Sequence, residues 1–188
     1  MLALASFTLD KHIMPSLVFT ADDAGKVISI SGQVNWQVFA TDTIDYLDIS
    51  SGTNATINGG GGVDVIRFVG AGSADYEISL SGSQAVFKHK SNDSIVYIPM
   101  SKLGDTVAFG NESPQLLKIE SGVFKFGSQV ISSTLAPIVG ASSLANYLLD
   151  SNVSTSYSVS ETLAAGTLNT IVLVGVAGAS TVCDVASF

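Results

Sequence analysis

The chain has one cysteine, Cys183, one arginine, Arg67, one tryptophan, Trp36, and two histidines, His12 and His89. A single cysteine excludes an intramolecular disulfide framework. Eight basic residues stand against 16 acidic ones, for a net charge of −8. A protein that grips phosphate backbones needs clustered Lys and Arg, so nucleic acid is not an expected partner. Charged residues fill only 13% of the 188 positions, against a usual share of about 25%. Apolar residues fill 46%, which argues against a disordered chain. The most apolar stretch, Ile171 to Ala179, is shorter than the roughly 20 residues a membrane-crossing helix needs. No membrane span is expected. Met1 to Phe7 is apolar but lacks a basic region, so it does not read as a secretory signal.

What the chain does have is aspartate, glycine and short alternating runs. Twelve of the 16 acids are Asp and four are Glu. Asp favours turns and caps and is a hard-oxygen ligand, whereas Glu favours helices. Apolar and polar residues alternate in Lys26–Ser31, in Gln33–Phe39 with Val34, Trp36 and Val38 on one face, and in Tyr76–Leu80, Ala85–Lys88 and Ser94–Ile98. Further runs follow at Thr106–Phe109, Leu116–Ile119, Val123–Phe126 and Gln129–Ser132. Each is closed by Gly, Ser, Asn or Asp, which predicts an all-β architecture. One short helix is predicted over Ser142–Leu149, and at most a turn over Met100–Leu103. Three zones emerge: a β entry segment over 1–40, a patterned body over 41–132 and an apolar segment over 133–188 that lacks Lys and Arg. A segment this apolar is expected to pack on the body or in a partner subunit.

The most informative stretch is Gly59-Gly60-Gly61-Gly62-Val63-Asp64-Val65-Ile66. Glycines permit φ > 0 and a tight turn with inward carbonyls, and the Asp adds a carboxylate to such an oxygen cage. Ile44-Asp45-Tyr46-Leu47 and Thr53-Asn54-Ala55-Thr56 repeat the element around Asp64 at spacings of nine and ten, and Gly70 to Asp75 forms a degenerate fourth turn. The stretch resembles the calcium-binding nonapeptide repeat of the RTX proteins, which leave bacteria by type I secretion. The resemblance implies a short parallel β-roll over 41–75 followed by an antiparallel flank, carried by Asp75-Tyr76-Glu77-Ile78, Ser94–Ile98, Asp105-Thr106-Val107 and Phe124-Lys125-Phe126-Gly127. It also implies one or two Ca²⁺ ions held by Asp45, Asn54, Gly59, Gly60, Gly62, Asp64 and Asp75, and an uncleaved C-terminal export signal, for which Val182–Phe188 is the candidate. The plainer alternative for Gly59–Asp64 is a Gly-rich hairpin turn closed by an exposed Asp. A phosphate loop is not expected, because no G-K-[ST] follows the glycines.

Catalytic constellations are missing. His12 and His89 each adjoin lysine and read as solvated surface residues. No G-x-S-x-G elbow is present. One Cys and two distant His do not make a zinc site, and the four Glu show no acid pair. Cys183 reads as a small buried hydrophobe. Trp36, Tyr46, Tyr76, Phe87 and Tyr97 read as core, with sugar stacking as the alternative.

The expectation is therefore a non-enzymatic, extracellular or cell-surface bacterial protein. It binds Ca²⁺ and self-assembles as a homo-oligomer or polymer into a surface layer, fibre or matrix. The alternative is a calcium-dependent adhesin or carbohydrate-binding module whose partner is a surface glycan.

Overall fold

The computed structural model describes residues 14–58, 60–139, 154–158 and 172–174. They are almost wholly strand and turn, as the alternation predicts. The helix expected over 142–149 and most of the apolar segment lie outside the described residues.

The first six strands are β1 (Ser16–Val18), β2 (Val27–Ser31), β3 (Asn35–Phe39), β4 (Tyr46–Ser50), β5 (Asn54–Asn58) and β6 (Val65–Val69). Odd and even strands fall in two different sheets. Pairing within each sheet is parallel: β1 with β3 with β5, and β2 with β4 with β6. Tyr46 lies over Val27, and Val65 over Tyr46, so one turn of the roll takes 19 residues. The spacings of nine and ten read from the sequence are the two halves of that turn.

The roll extends past both ends of the predicted 41–75 stretch. Ser16–Phe39 already forms a coil, so part of the entry segment belongs to the roll. That coil escapes the motif because Lys26 stands where the next coil has Asp45. Beyond β6 the chain inserts an antiparallel hairpin, β7 (Tyr76–Ser81) with β8 (Gln84–His89). It then rejoins the stack: β9 (Ile95–Pro99) pairs in parallel with β5, and β10 (Asp105–Phe109) with β6. Thr106 lies over Val65, so this turn spans 41 residues. Ser94–Ile98 and Asp105–Val107 are thus roll strands, while the antiparallel flank is β11 (Gln115–Glu120), β12 (Val123–Phe126) and β13 (Gln129–Val130). The remaining strands are β14 (Ala136–Pro137), antiparallel to β7, and β15 (Ser154–Ser158) and β16 (Val172–Val174). The last two pair in parallel with β2 and β1.

Strand alternation sends every second side chain between the sheets. Register then stacks like on like: Ile28, Leu47, Ile66 and Val107 form one buried column, and Ile30, Ile49, Phe68 and Phe109 another. In the facing sheet Trp36 sits over the small Ala55, and its indole N–H donates to the Ser31 carbonyl at 3.1 Å. Around the hairpin the core becomes aromatic. Phe68 stacks on Phe109 at 4.8 Å and lies 4.9 Å from Tyr76 and 5.3 Å from Phe87. Phe68→Ala should cost about 3–5 kcal/mol, whereas Val69→Ala on the outer face should cost under about 1 kcal/mol. Urea unfolding of the two variants measures the difference.

Candidate functional site

Four corners lead from the first sheet to the second; the first ends in Lys26, and the other three each end in an aspartate: Asp45 before β4, Asp64 before β6 and Asp105 opening β10. All three are buried. The Asp45 N–H donates to Asp64 Oδ1 at 3.1 Å, and the Asp64 N–H donates to Asp105 Oδ1 at 3.0 Å. In return the Val65 N–H donates to the Asp45 carbonyl and the Thr106 N–H to the Asp64 carbonyl, both at 2.8 Å. A side-chain oxygen therefore continues the parallel ladder through the corner, in the place a strand would give to a carbonyl. Within the corner that ends in Asp45, the Thr41 N–H and Oγ1 both donate to Asp45 Oδ2, at 2.6 and 3.0 Å. Asp45 Oδ1 is buried without a hydrogen-bond partner.

Stacking acids in a buried corner has an electrostatic cost. Burial pushes the Asp64 carboxyl up to about 7; the Asp45 N–H opposes the shift, and repulsion from Asp105 and Asp45 adds to it. Burial also raises Asp105, opposed by the Asp64 N–H.

The glycines allow the corners to stack. A Cβ on Gly60 would lie 1.8 Å from the Thr41 carbonyl oxygen, and one on Gly62 would lie 1.9 Å from that of Thr43. Gly61 is different: its nearest neighbour, Asp42 Oδ1, would be 3.6 Å away, and its N–H donates to that oxygen at 2.9 Å. None of Gly60, Gly61 and Gly62 has a positive φ. The expectation of left-handed glycines fails at these three; at Gly60 and Gly62 close backbone approach, not turn curvature, demands the glycine. Gly52, at φ 88°, does take the left-handed conformation.

Asp45, Gly60, Gly62 and Asp64 thus come together, while Gly59 lies outside the described residues. Asn54 sits at the opposite edge of the roll, where its Oδ1 accepts the Ile95 N–H at 2.8 Å. Nine residues amount to half a turn, so the repeat alternates between edges. Asp75 is exposed in the 3₁₀ turn Ser73–Asp75 at the base of the hairpin, and its Oδ2 accepts the Gly72 N–H at 2.9 Å. Sequence reasoning missed Asp105 as a member of the stack, along with Asp42 and Thr41. The pattern Asp-x-apolar-x-Ile/Phe at Asp45, Asp64 and Asp105 is a usable signal, hidden by the 41-residue step. Among the described residues no three carboxylate, imidazole or thiol side chains converge as a ready-made metal cage. The orphaned Asp45 Oδ1 is the oxygen there that fits a cation.

Two further expectations change. His89 is buried, because Ala85, Phe87 and His89 alternate inward; its ring meets Tyr76 edge-on at 4.8 Å and its Nδ1 accepts the Ser91 N–H at 3.2 Å. Tyr46 and Tyr97 lie half-exposed on outer faces, one residue out of phase with the core, whereas Trp36, Tyr76 and Phe87 are core. His12 and Cys183 lie outside the described residues.

The fold and its corners define a two-sheet parallel β-roll closed along one edge by stacked aspartates. No protein-family model, curated protein or solved structure matches the chain.

Gly60→Ala and Gly62→Ala should each cost about 2 kcal/mol or more, since a backbone oxygen occupies the Cβ position, while Gly61→Ala should stay within about 0.5 kcal/mol. Thermal unfolding tests the ordering. The Asp64 carboxyl rises from 3.8 to about 7 on folding. Its protonation therefore supports the fold fully below pH 3.8, and that support fades as pH climbs through about 7. In chelator, wild-type stability should fall across this window. Asp64→Asn keeps an acceptor for the Asp45 N–H and should flatten the fall, which pH-dependent urea midpoints would reveal.

Proposed function

We propose that the chain is a secreted bacterial structural subunit of the RTX-like calcium-binding type. It self-assembles outside the cell into a layer, fibre or matrix. The observation that carries this reading is the open parallel stack: strands from residues 154–158 and 172–174 extend it at the β1–β2 edge. A sheet edge that takes strands from far along the chain can take them from a neighbour.

Calcium enters at the corner of residues 41–45 and 60–64. Asp45 and Asp64 would hold the ion, with Asp42 on the same corner. Bound there, the ion would supply positive charge against the repulsion that burial sharpens between the stacked acids. Binding to the folded state alone adds RT ln(1 + [L]/Kd) to its stability, so the roll would tighten where calcium is abundant. The neighbouring carboxylates Asp64 and Asp105 already use Oδ1 on the main chain, so the reading centres on Asp45 Oδ1.

One observation favours a glycan-binding role as the second reading. An open groove of about 630 Å³ at the base of the hairpin is lined by Arg67, Asp75, Asn111 and Glu112. Such donors and acceptors suit a hydroxyl-rich ligand. Trp36 takes no part, being fully buried.

Millimolar calcium should raise the thermal midpoint and yield fast-sedimenting particles, and chelator should reverse both. Asp45→Asn should lose the calcium response. Particles indifferent to calcium would remove the ion from the proposal. A monomer under every condition would remove assembly, and glycan-array binding by that monomer would bring the second reading forward.

A further inference from the structure

The two ends of the roll differ. At one end the outermost strands of the two sheets are β14 and β13. Each is two residues long and antiparallel to its neighbour, and Pro137 brings no N–H. Such an edge is poor material for further pairing. Around it Val130, Leu135 and Val139 are exposed, the first and last by 60% and 59%. At the other end β1 and β2 pair in parallel with β16 and β15, which add one strand to each sheet.

Those two strands follow the blunt end in sequence. Within one molecule β14 and β15 lie at opposite ends of the stack, with residues 140–153 between them in sequence. Seven strand spacings make about 34 Å, and the connection from Val139 to Ser154 reaches about 50 Å when extended. The connection suffices, so the same contacts can form within one chain or between two. A second copy set against the blunt end would receive the two strands on its own β1–β2 edge and cover Val130, Leu135 and Val139.

Building on the self-assembly reading, we propose that β15 and β16 form an exchangeable pair: in the assembled state they stack on β2 and β1 of a second copy, joining copies head to tail. Exchange of an identical element between copies needs no new contacts, and a head-to-tail contact that does not close gives an open filament. Concentration sets the balance, because the connection keeps the pair at a finite effective concentration beside its own edge.

Ser29 and Ser156 are register partners on β2 and β15. Neighbouring strands lie about 4.8 Å apart, within the span of a disulfide. In full-length protein carrying Cys183→Ser, Ser29→Cys and Ser156→Cys, oxidation of the concentrated sample should give a ladder of covalent multimers on a non-reducing gel. Oxidation after dilution should give internally bridged monomer. Internal bridges alone in a sample that still sediments as particles would overturn the exchange while leaving self-assembly standing. Monomer by both measures would overturn both. Thr155→Pro in the otherwise unaltered chain should keep the strand signal in circular dichroism and lose the particles. Particles that persist in it also overturn the exchange.

Discussion

The structure depends on hydrogen bonds that continue between coils where the backbone turns. A parallel stack is paired along its strands, but where Asp45, Asp64 and Ile95 stand the chain leaves an N–H facing a neighbouring coil. Asp64 and Asp105 answer it on one edge and Asn54 on the other. The side chain has to be short, placed where the strand begins, and brought within about 3 Å. That requirement fixes the residue type at the corner. On the acidic edge it also sets the glycines before it, since the corners close up only where Gly60 and Gly62 lack a Cβ.

Much of this was legible in the sequence. The nine- and ten-residue spacings among Asp45, Asn54 and Asp64 sum to the turn of the roll, and the alternating runs mark most of its strands. What stayed hidden has physical causes. Nine residues cross from one sheet to the other, so Asn54 belongs to a different edge from its two neighbours in the pattern. The hairpin of β7 and β8 delays Asp105, whose kinship with Asp64 is one of stacking, not of spacing. His89 looks solvated beside Lys88 and Lys90, yet in a strand the neighbours of an inward residue point outward. Gly60 and Gly62 carry the signature of tight turns while answering to a different constraint, contact between backbones.

Composition follows from the same geometry. A thin two-sheet roll has little interior that could hold charge, and it solvates itself with Ser, Thr and Asn on its outer faces. Where charge does occur it is used locally. Arg67 makes a two-pronged pair with Asp48 across adjacent coils of the second sheet. Glu120 gathers Lys118 and Lys125 on the flank, and these lysines hold its carboxyl down at about 2.

The hairpin shows where this architecture tolerates added length. It enters at the corner leading from the second sheet back to the first, and β9 and β10 resume the register as though nothing had been inserted. The aspartate corners have no such latitude, because Asp45 and Asp64 each give an N–H to the carboxylate of the next corner. The two edges therefore obey different rules of variation: one is a seam that holds its residues fixed, the other a splice site at which whole elements can be grafted while the stack stays in step.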